Sequence, residues 1–151
     1  MTALFVHSPW VEARADARPS SGDRHADLMA VVAAASPEEQ LALIRAHPEL
    51  AGKAAIDHSL TEASAAEQAS AGLDRLSDAE FARFHALNAA YRERFGIPFI
   101  ICVRLTDKAG ILAAMEQRLA NDRDAEIAQA LSEIGAIVRL RLADMERGAN
   151  P

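Results

Sequence analysis

Serine and glutamate residues three positions apart recur along this chain, and each pair stands at the start of a stretch typical of a helix. The pairs are Ser36–Glu39, Ser64–Glu67 and Ser77–Glu80. In such a capping box the serine side chain accepts a hydrogen bond from the first helical turn, and the glutamate side chain accepts one from the serine N–H. Pro37 strengthens the first signal, since proline suits the first position of a helix. The chain is therefore expected to be a succession of separately started helices.

The composition favours the same fold class. Alanine supplies 34 of the 151 residues, whereas valine, isoleucine and threonine together supply 18. Alanine is the best helix former, and β-branched residues are those that strands prefer. One run resembles a strand, Ile97–Leu105, but the sequence offers it no partner strand and Pro98 withholds a backbone donor. We predict a single all-α domain over residues 1–151, a compact multi-helix domain with one extended, buried connector.

Start and stop signals also place the individual helices. They predict a short helix around Trp10, and further helices over about 23–35, 36–47, 77–96, 107–119 and 123–147. The Ser64–Glu67 pair predicts the start of another helix at Ser64. Residues 48–62 are predicted to form an irregular connection, because Pro48 disfavours the helical conformation for the residue before it.

Charge and apolar runs exclude several classes of function. The net charge of −6, without a basic stripe, argues against a nucleic-acid partner. No apolar run approaches the roughly 18 residues that a membrane span needs. The single cysteine, Cys102, excludes an internal disulfide and fits a reducing compartment. With no signal-peptide pattern at the start, a cytoplasmic location is expected.

Several catalytic motifs are absent from the sequence. It holds no glycine-rich phosphate loop, no Cys-x-x-Cys pair, no His-Glu-x-x-His zinc helix and no Gly-x-Ser-x-Gly elbow. The two lysines, Lys53 and Lys108, do not sit in apolar runs that would lower their pKa for Schiff-base chemistry. If the chain is an enzyme, it is expected to use ordinary side chains and no cofactor.

His47 is the first candidate functional residue. It ends a predicted helix directly before Pro48, in the segment Ala46–Leu50. The helix dipole favours its protonated imidazole by about 0.3–1 kcal/mol, which suits a general acid that titrates near neutral pH. The alternative interpretation is a surface histidine that only ends a helix.

The second candidate site is the group Ser64, Glu67 and Gln68. Free N–H groups at a helix start, together with a hydroxyl and an amide, suit a carboxylate or a polar heterocycle. Glu67 would then face the site and pair with a histidine or accept a hydrogen bond from a substrate. The alternative is a capping box with no further role.

The third candidate is the segment Phe95–Arg104. Its extended backbone carries N–H and C=O groups that no helix uses and that need partners, which a planar ureide-like ligand would supply. Arg104 closes the apolar run and is a candidate clamp for a carboxylate. The alternative is a core connector whose Arg104 reaches solvent. Cys102 is expected to be a small buried hydrophobe.

Metal binding is not expected. His58 lies eleven residues after His47, a spacing that fits no standard ligand pattern. The other histidines, His7, His25 and His85, are expected to be solvated.

Taken in order, these segments resemble one known family, the 2-oxo-4-hydroxy-4-carboxy-5-ureidoimidazoline (OHCU) decarboxylases of urate degradation. The resemblance runs from about residue 5 to residue 145 and rests on the joint occurrence of several motifs. These are Ser8–Val11, Leu43–Gly52, Leu60–Gln68, Ala71–Leu73 and Asn88–Ile100.

The resemblance implies an all-α, usually homodimeric enzyme that converts OHCU into (S)-allantoin and carbon dioxide without a cofactor. It implies His47 as the catalytic acid or base, with Glu67 acting beside it. The implied contacts to the small ureide substrate come from Pro48, Ser64, Glu67, Gln68, Phe99, Ile100, Ile101, Cys102 and Val103. Arg104 joins them as the candidate clamp.

Two other functions remain open from the sequence alone. A non-catalytic helical interaction module predicts no polar cleft and no shared site for His47 and Glu67. A metal-dependent ureide hydrolase predicts a ligand set that includes His47 and His58. The decarboxylase interpretation requires that His47 and Glu67 face one small hollow.

Overall fold

The computed structural model describes residues 8–47, 50, 62–73 and 75–149. Within these residues the chain forms seven α-helices and one 3₁₀ turn, and no strand. The helices are α1 (Trp10–Asp16), α2 (Arg24–Ala34), α3 (Pro37–Arg45), α4 (Glu62–Ser70), α5 (Asp78–Phe95), α6 (Lys108–Arg118) and α7 (Arg123–Ala149), and the 3₁₀ turn is Val103–Leu105. The predicted all-α class is confirmed.

Most helix starts lie where the sequence places them. Ser36 and Ser77 each accept from the backbone N–H three residues on, and Glu39 and Glu80 complete both capping boxes. The Asp107 side chain caps α6 in the same way, by accepting from the N–H of Gly110. Local side-chain chemistry therefore determines where α3, α5 and α6 begin.

The core forms where α2 and α3 pack against the long α7 and where α5 packs against α6. Its largest fully buried apolar side chains come from every one of these elements and from the connector. They are Leu28, Leu43, Ile44, Phe84, Tyr91, Ile97, Phe99, Ile111, Met115 and Ile134. The residues after α5 pass through this core as the predicted connector.

From Pro98 to Cys102 the connector is largely buried and forms neither helix nor strand, and the backbone of Cys102 is extended; beyond Cys102 the chain differs from the prediction. Phe99 and Ile100 expose 1% and 3% of their surface. From Val103 to Leu105 the chain turns into the 3₁₀ segment instead of remaining extended. The turn packs on α4 and so brings the connector beside that helix.

A charged network lies buried behind the connector. The Glu126 carboxylate is fully buried and accepts from the Tyr91 hydroxyl at 2.6 Å, from Arg118 Nε at 2.8 Å and from Asn121 Nδ2 at 2.9 Å. The Arg118 guanidinium lies 4.3 Å from the centre of the Phe99 ring. A buried carboxylate needs such partners, since burying an unpaired charge is costly.

Two predictions about local structure are wrong. The α4 helix does not begin at Ser64, because it already includes Glu62 and Ser64 is its third residue. His25 is partly buried rather than fully solvated, and its Nε2 atom lies 2.8 Å from the carbonyl oxygen of Gly135 on α7. No helix in the described part of the chain has the length and apolar character needed to cross a membrane.

Candidate functional site

A partly open cavity lies between the end of α3, helix α4, the connector and the middle of α7. It offers about 40 Å³ in which the centre of a water molecule fits, more than one water needs. Its walls are mostly apolar, with a few polar side chains among them. The lining residues are His47, Leu50, Glu67, Gln68, Phe99, Ile100, Ile101, Cys102, Val103, Arg104, Ile137 and Arg141.

His47 reaches this cavity because α3 ends two residues before it. The last helical residue is Arg45, and the His47 N–H bonds back to the carbonyl of Ile44 at 3.1 Å. The Nδ1 atom lies 2.9 Å from the carbonyl oxygen of Leu43. A carbonyl oxygen only accepts, so Nδ1 carries the proton in this contact. In the neutral ring, Nε2 is then the acceptor nitrogen.

Glu67 is held against the cavity by a two-bond ion pair with Arg141 of α7. The Arg141 Nε atom donates to Glu67 Oε2 at 2.9 Å, and its second terminal nitrogen donates to Oε1 at 2.7 Å. Both side chains are nearly buried, with 7% and 13% exposed for Arg141 and Glu67. Paired bonds of this kind fix the orientation of both planar groups. The carboxylate retains lone pairs for a further donor.

The Cys102 thiol contributes an apolar surface to the cavity. Its side chain is buried, and this burial raises the pKa of the Cys102 thiol, which the nearby carboxylates of Glu133 and Glu67 raise further. The thiol therefore stays neutral and is a poor nucleophile. This agrees with the expectation of a small buried hydrophobe.

Arg104 lines the cavity, but its guanidinium is already engaged. Its terminal nitrogens donate to the two carboxylate oxygens of Asp144 at 2.6 and 3.2 Å. A carboxylate ligand would have to compete with Asp144 for the same donors. Its role as a clamp stays a prediction.

Nine of the eleven residues singled out in the sequence line this one cavity. Pro48 lies outside the described residues, and so does the side chain of Ser64. Arg141 lines the cavity and was missed, together with Leu50 and Ile137. A sequence signal for Arg141 exists, since it lies seven residues after Ile134 and so falls on the apolar face of α7. A charged residue on a buried helical face usually has a partner.

The site geometry bears on the two other functions. An interaction module predicted that His47 and Glu67 would not share a polar cleft, yet both line the same cavity. A metal centre predicted a ligand set with His58, which lies outside the described residues. Across the part of the chain that is described, no three His, Cys, Asp or Glu side chains form a group able to hold a metal ion.

Comparisons with known proteins agree on one family. A sequence model described as OHCU decarboxylase matches residues 1–143. The chain is 43% identical over 144 residues to an OHCU decarboxylase of Haloferax volcanii, covering 93% of this chain and 83% of that protein. The crystal structure of an (S)-allantoin synthase aligns with a TM-score of 0.68 at 30% identity, covering 94% of this chain but only 46% of that one. An OHCU decarboxylase crystallised in the presence of (S)-allantoin aligns with a TM-score of 0.71, covering 91% of both chains, and at 20% identity it shows the shared fold.

Proposed function

The chain belongs to the OHCU decarboxylase family, and on this premise we propose that it converts OHCU into (S)-allantoin and carbon dioxide in urate degradation, with His47 as acid and base. The observation that carries the proposal is the single cavity shared by His47, the Glu67–Arg141 pair and the connector. These are groups from four separate parts of the chain, and each is positioned by contacts of its own.

The chemistry needs no external electron sink. The carboxylate of OHCU sits on a ring carbon beside a C=N bond. When the carbon–carbon bond to the carboxylate breaks, carbon dioxide leaves and the released electron pair forms a C=C bond between this hydroxyl-bearing carbon and its ring neighbour. The π pair of the C=N bond moves to its nitrogen, which takes up a proton. The resulting enol becomes a carbonyl when its hydroxyl proton is lost and the neighbouring carbon is protonated. The enzyme therefore has to hold the ring and move protons.

His47 suits the proton transfers. Because Nδ1–H is held by the Leu43 carbonyl, Nε2 accepts the hydroxyl proton and then returns a proton to one face of the ring. Delivery from one fixed nitrogen to one face would yield a single enantiomer.

Glu67 suits the binding of the ring. Arg141 fixes its carboxylate, which accepts hydrogen bonds from substrate N–H or O–H groups. The connector supplies further backbone contacts from Phe99 to Val103, and Gln68, which is 5% exposed, adds an amide to the same wall. Pro48 and Ser64 remain part of the proposed substrate site on the resemblance alone.

The test is the substitution His47→Asn. The asparagine amide still donates to the Leu43 carbonyl, so the end of α3 is preserved while the titrating nitrogen is lost. Acid–base assistance is typically worth about 10²- to 10⁴-fold, and we expect kcat to fall by that amount. His85→Asn is the matched control, because His85 is exposed on α5.

The assay generates OHCU in place from urate with urate oxidase and hydroxyisourate hydrolase, and follows (S)-allantoin by circular dichroism. A wild-type protein that does not accelerate its formation would refute the decarboxylase function. A His47→Asn protein with unchanged kcat would refute only the role of His47.

The proposal extends to assembly and location. We propose that the chain acts on this small ureide as a homodimer, as its family resemblance implies, and that it does so in the cytoplasm. The single cysteine is consistent with a reducing compartment. Sedimentation at several protein concentrations tests the dimer, and a monomer that retains full activity would contradict it.

A further inference from the structure

Two side chains that do not line the cavity hold the backbone of the connector from behind. A terminal nitrogen of Arg118, on α6, donates to the carbonyl oxygen of Ile100 at 2.7 Å. The Glu133 Oε1 atom, on α7, accepts from the N–H of Cys102 at 3.0 Å. The connector is therefore fastened at two points, two residues apart, by two different helices.

The spacing of these two bonds bears on the direction of the backbone N–H and C=O of Ile101, the residue between them. In an extended chain, successive residues direct their N–H and C=O groups to opposite sides. The Ile100 C=O and the Cys102 N–H are bonded to side chains of α6 and α7, and an extended backbone at Ile101 then directs its own N–H and C=O away from those helices. Ile101 lines the cavity. Within the described residues, neither backbone group of Ile101 has a hydrogen-bond partner.

Arg118 is itself held firmly. It is 7% exposed and pairs through Nε with the fully buried Glu126. Glu126 is held in turn by Tyr91 and Asn121. Glu133 differs because it is only partly buried, and its second oxygen accepts from Gln129 Nε2 at 3.2 Å. Arg118 therefore belongs to the core, whereas Glu133 can be changed without leaving a charge buried.

We propose that Arg118 and Glu133 are positioning residues, which orient the connector so that the Ile101 N–H and C=O project into the cavity and bind the planar ureide. An N–H and a C=O on one edge match the amide edge of a ureide, as in strand pairing. This proposal rests on the proposed function. Neither positioning residue touches the substrate, and each acts through the backbone that it holds.

The experiment changes Glu133. Glu133→Ala removes the acceptor for the Cys102 N–H, whereas Glu133→Gln retains a carbonyl oxygen that accepts the same bond. Because the Ile101 groups bind substrate and transition state alike, their displacement raises KM more than it lowers kcat. We expect a KM about five- to tenfold higher for Glu133→Ala, the effect of about one lost hydrogen bond, and a KM near the wild-type value for Glu133→Gln.

Gln129→Ala is the matched control. It removes the other partner of Glu133, one turn away on the exposed side of α7, and leaves the bond to Cys102 in place. We expect its KM to equal that of the wild type. If Glu133→Ala does not fold, Glu133→Met fills the same space without an acceptor and is expected to show the same rise in KM.

The outcomes separate this proposal from the proposed function. A wild-type protein without decarboxylase activity defeats both. An active wild type whose Glu133→Ala and Glu133→Met variants keep the normal KM overturns the positioning role alone. A Glu133→Gln variant as impaired as Glu133→Ala also overturns it, because the negative charge rather than the hydrogen bond would then matter.

Discussion

The hydroxyl of Tyr91 offers a sharp test of the buried network behind the connector. Tyr91 is fully buried, and its ring packs 4.7 Å from the Phe95 ring centre and 5.2 Å from that of Phe99. Its hydroxyl donates to Glu126 at 2.6 Å. Tyr91→Phe keeps the ring and removes only this donor, so the effect reports on one hydrogen bond to a buried carboxylate.

The expected magnitude follows from what Glu126 loses and retains. A hydrogen bond to a charged group contributes about 1.5–3 kcal/mol. Glu126 keeps Arg118 and Asn121, so it is not left unpaired and the lower half of that range applies. We expect the free energy of unfolding to fall by about 2 kcal/mol, which lowers Tm by about 4–8 °C in a chain of this size.

The measurement is urea unfolding followed by circular dichroism, with the m-value as a check that the unfolding reaction is unchanged. A loss below about 0.5 kcal/mol, the usual scale of a neutral surface substitution, would refute the assignment of this bond. The same hydroxyl also makes the stability of the protein depend on pH. Burial, followed by the hydrogen bond to Glu126, raises the pKa of Tyr91 well above its ordinary value.

A raised pKa makes the folded state hold the proton more tightly than the unfolded state. The stabilisation is therefore complete below the ordinary tyrosine pKa of about 10 and is lost as pH rises above it. The stability difference between wild type and Tyr91→Phe should shrink above that pH. Because Tyr91 is the only tyrosine, tyrosinate absorbance reports it alone, and titration near 10 in the folded protein would contradict the structure.

Two further predictions concern α1, α3 and α5. The Arg14 guanidinium, followed by the Ser36 N–H, lowers the pKa of Glu39 to about 2. Because this pKa is lowered, ionised Glu39 stabilises the folded state at pH values above the ordinary glutamate pKa, and the stabilisation disappears as pH falls toward 2. Glu39→Gln should therefore destabilise the protein at neutral pH and match the wild type near pH 2. Unfolding curves across this range test it, and a difference that persists at the lower limit counts against it. Gly96 ends α5 with φ of 72°, and an added Cβ would lie 4.0 Å from its nearest neighbour, a nitrogen of Arg45. Gly96→Ala should therefore cost about 1–2 kcal/mol through backbone conformation alone, and an unchanged free energy of unfolding would disprove that.

Local signals predicted the helices wherever the partners are local. Ser36 and Ser77 cap as expected because both halves of each capping box lie within four residues. Ser64 carries the same pattern, yet α4 already includes Glu62 and does not begin at Ser64. The Glu67 carboxylate instead bonds to Arg141, which is 74 residues away. A short motif shows what its own side chains can do, and it does not show which distant partner a side chain such as Glu67 will take.

The candidate site also has one part that the sequence predicts and another part that it does not. The apolar run that forms the connector could be predicted, because a buried segment without helical spacing has few other conformations. The side chains that fasten it could not, since Arg118 and Glu133 look like ordinary charged helix residues in the sequence. Their role depends on the backbone groups that they face after α6 and α7 have packed.

At the cavity, the net charge of −6 opposes the anionic substrate of the proposed function only weakly. Arg141 pairs with Glu67 and Arg104 with Asp144, so each cation at the cavity has an anion within hydrogen-bond distance. Such pairs act over short range, whereas the field of the distant surface charges is screened beyond about 8 Å at physiological salt. An anion at the cavity wall therefore responds mainly to the oriented donors beside it. The net negative charge of the protein then affects the rate at which an anion approaches the cavity more than the affinity with which it binds.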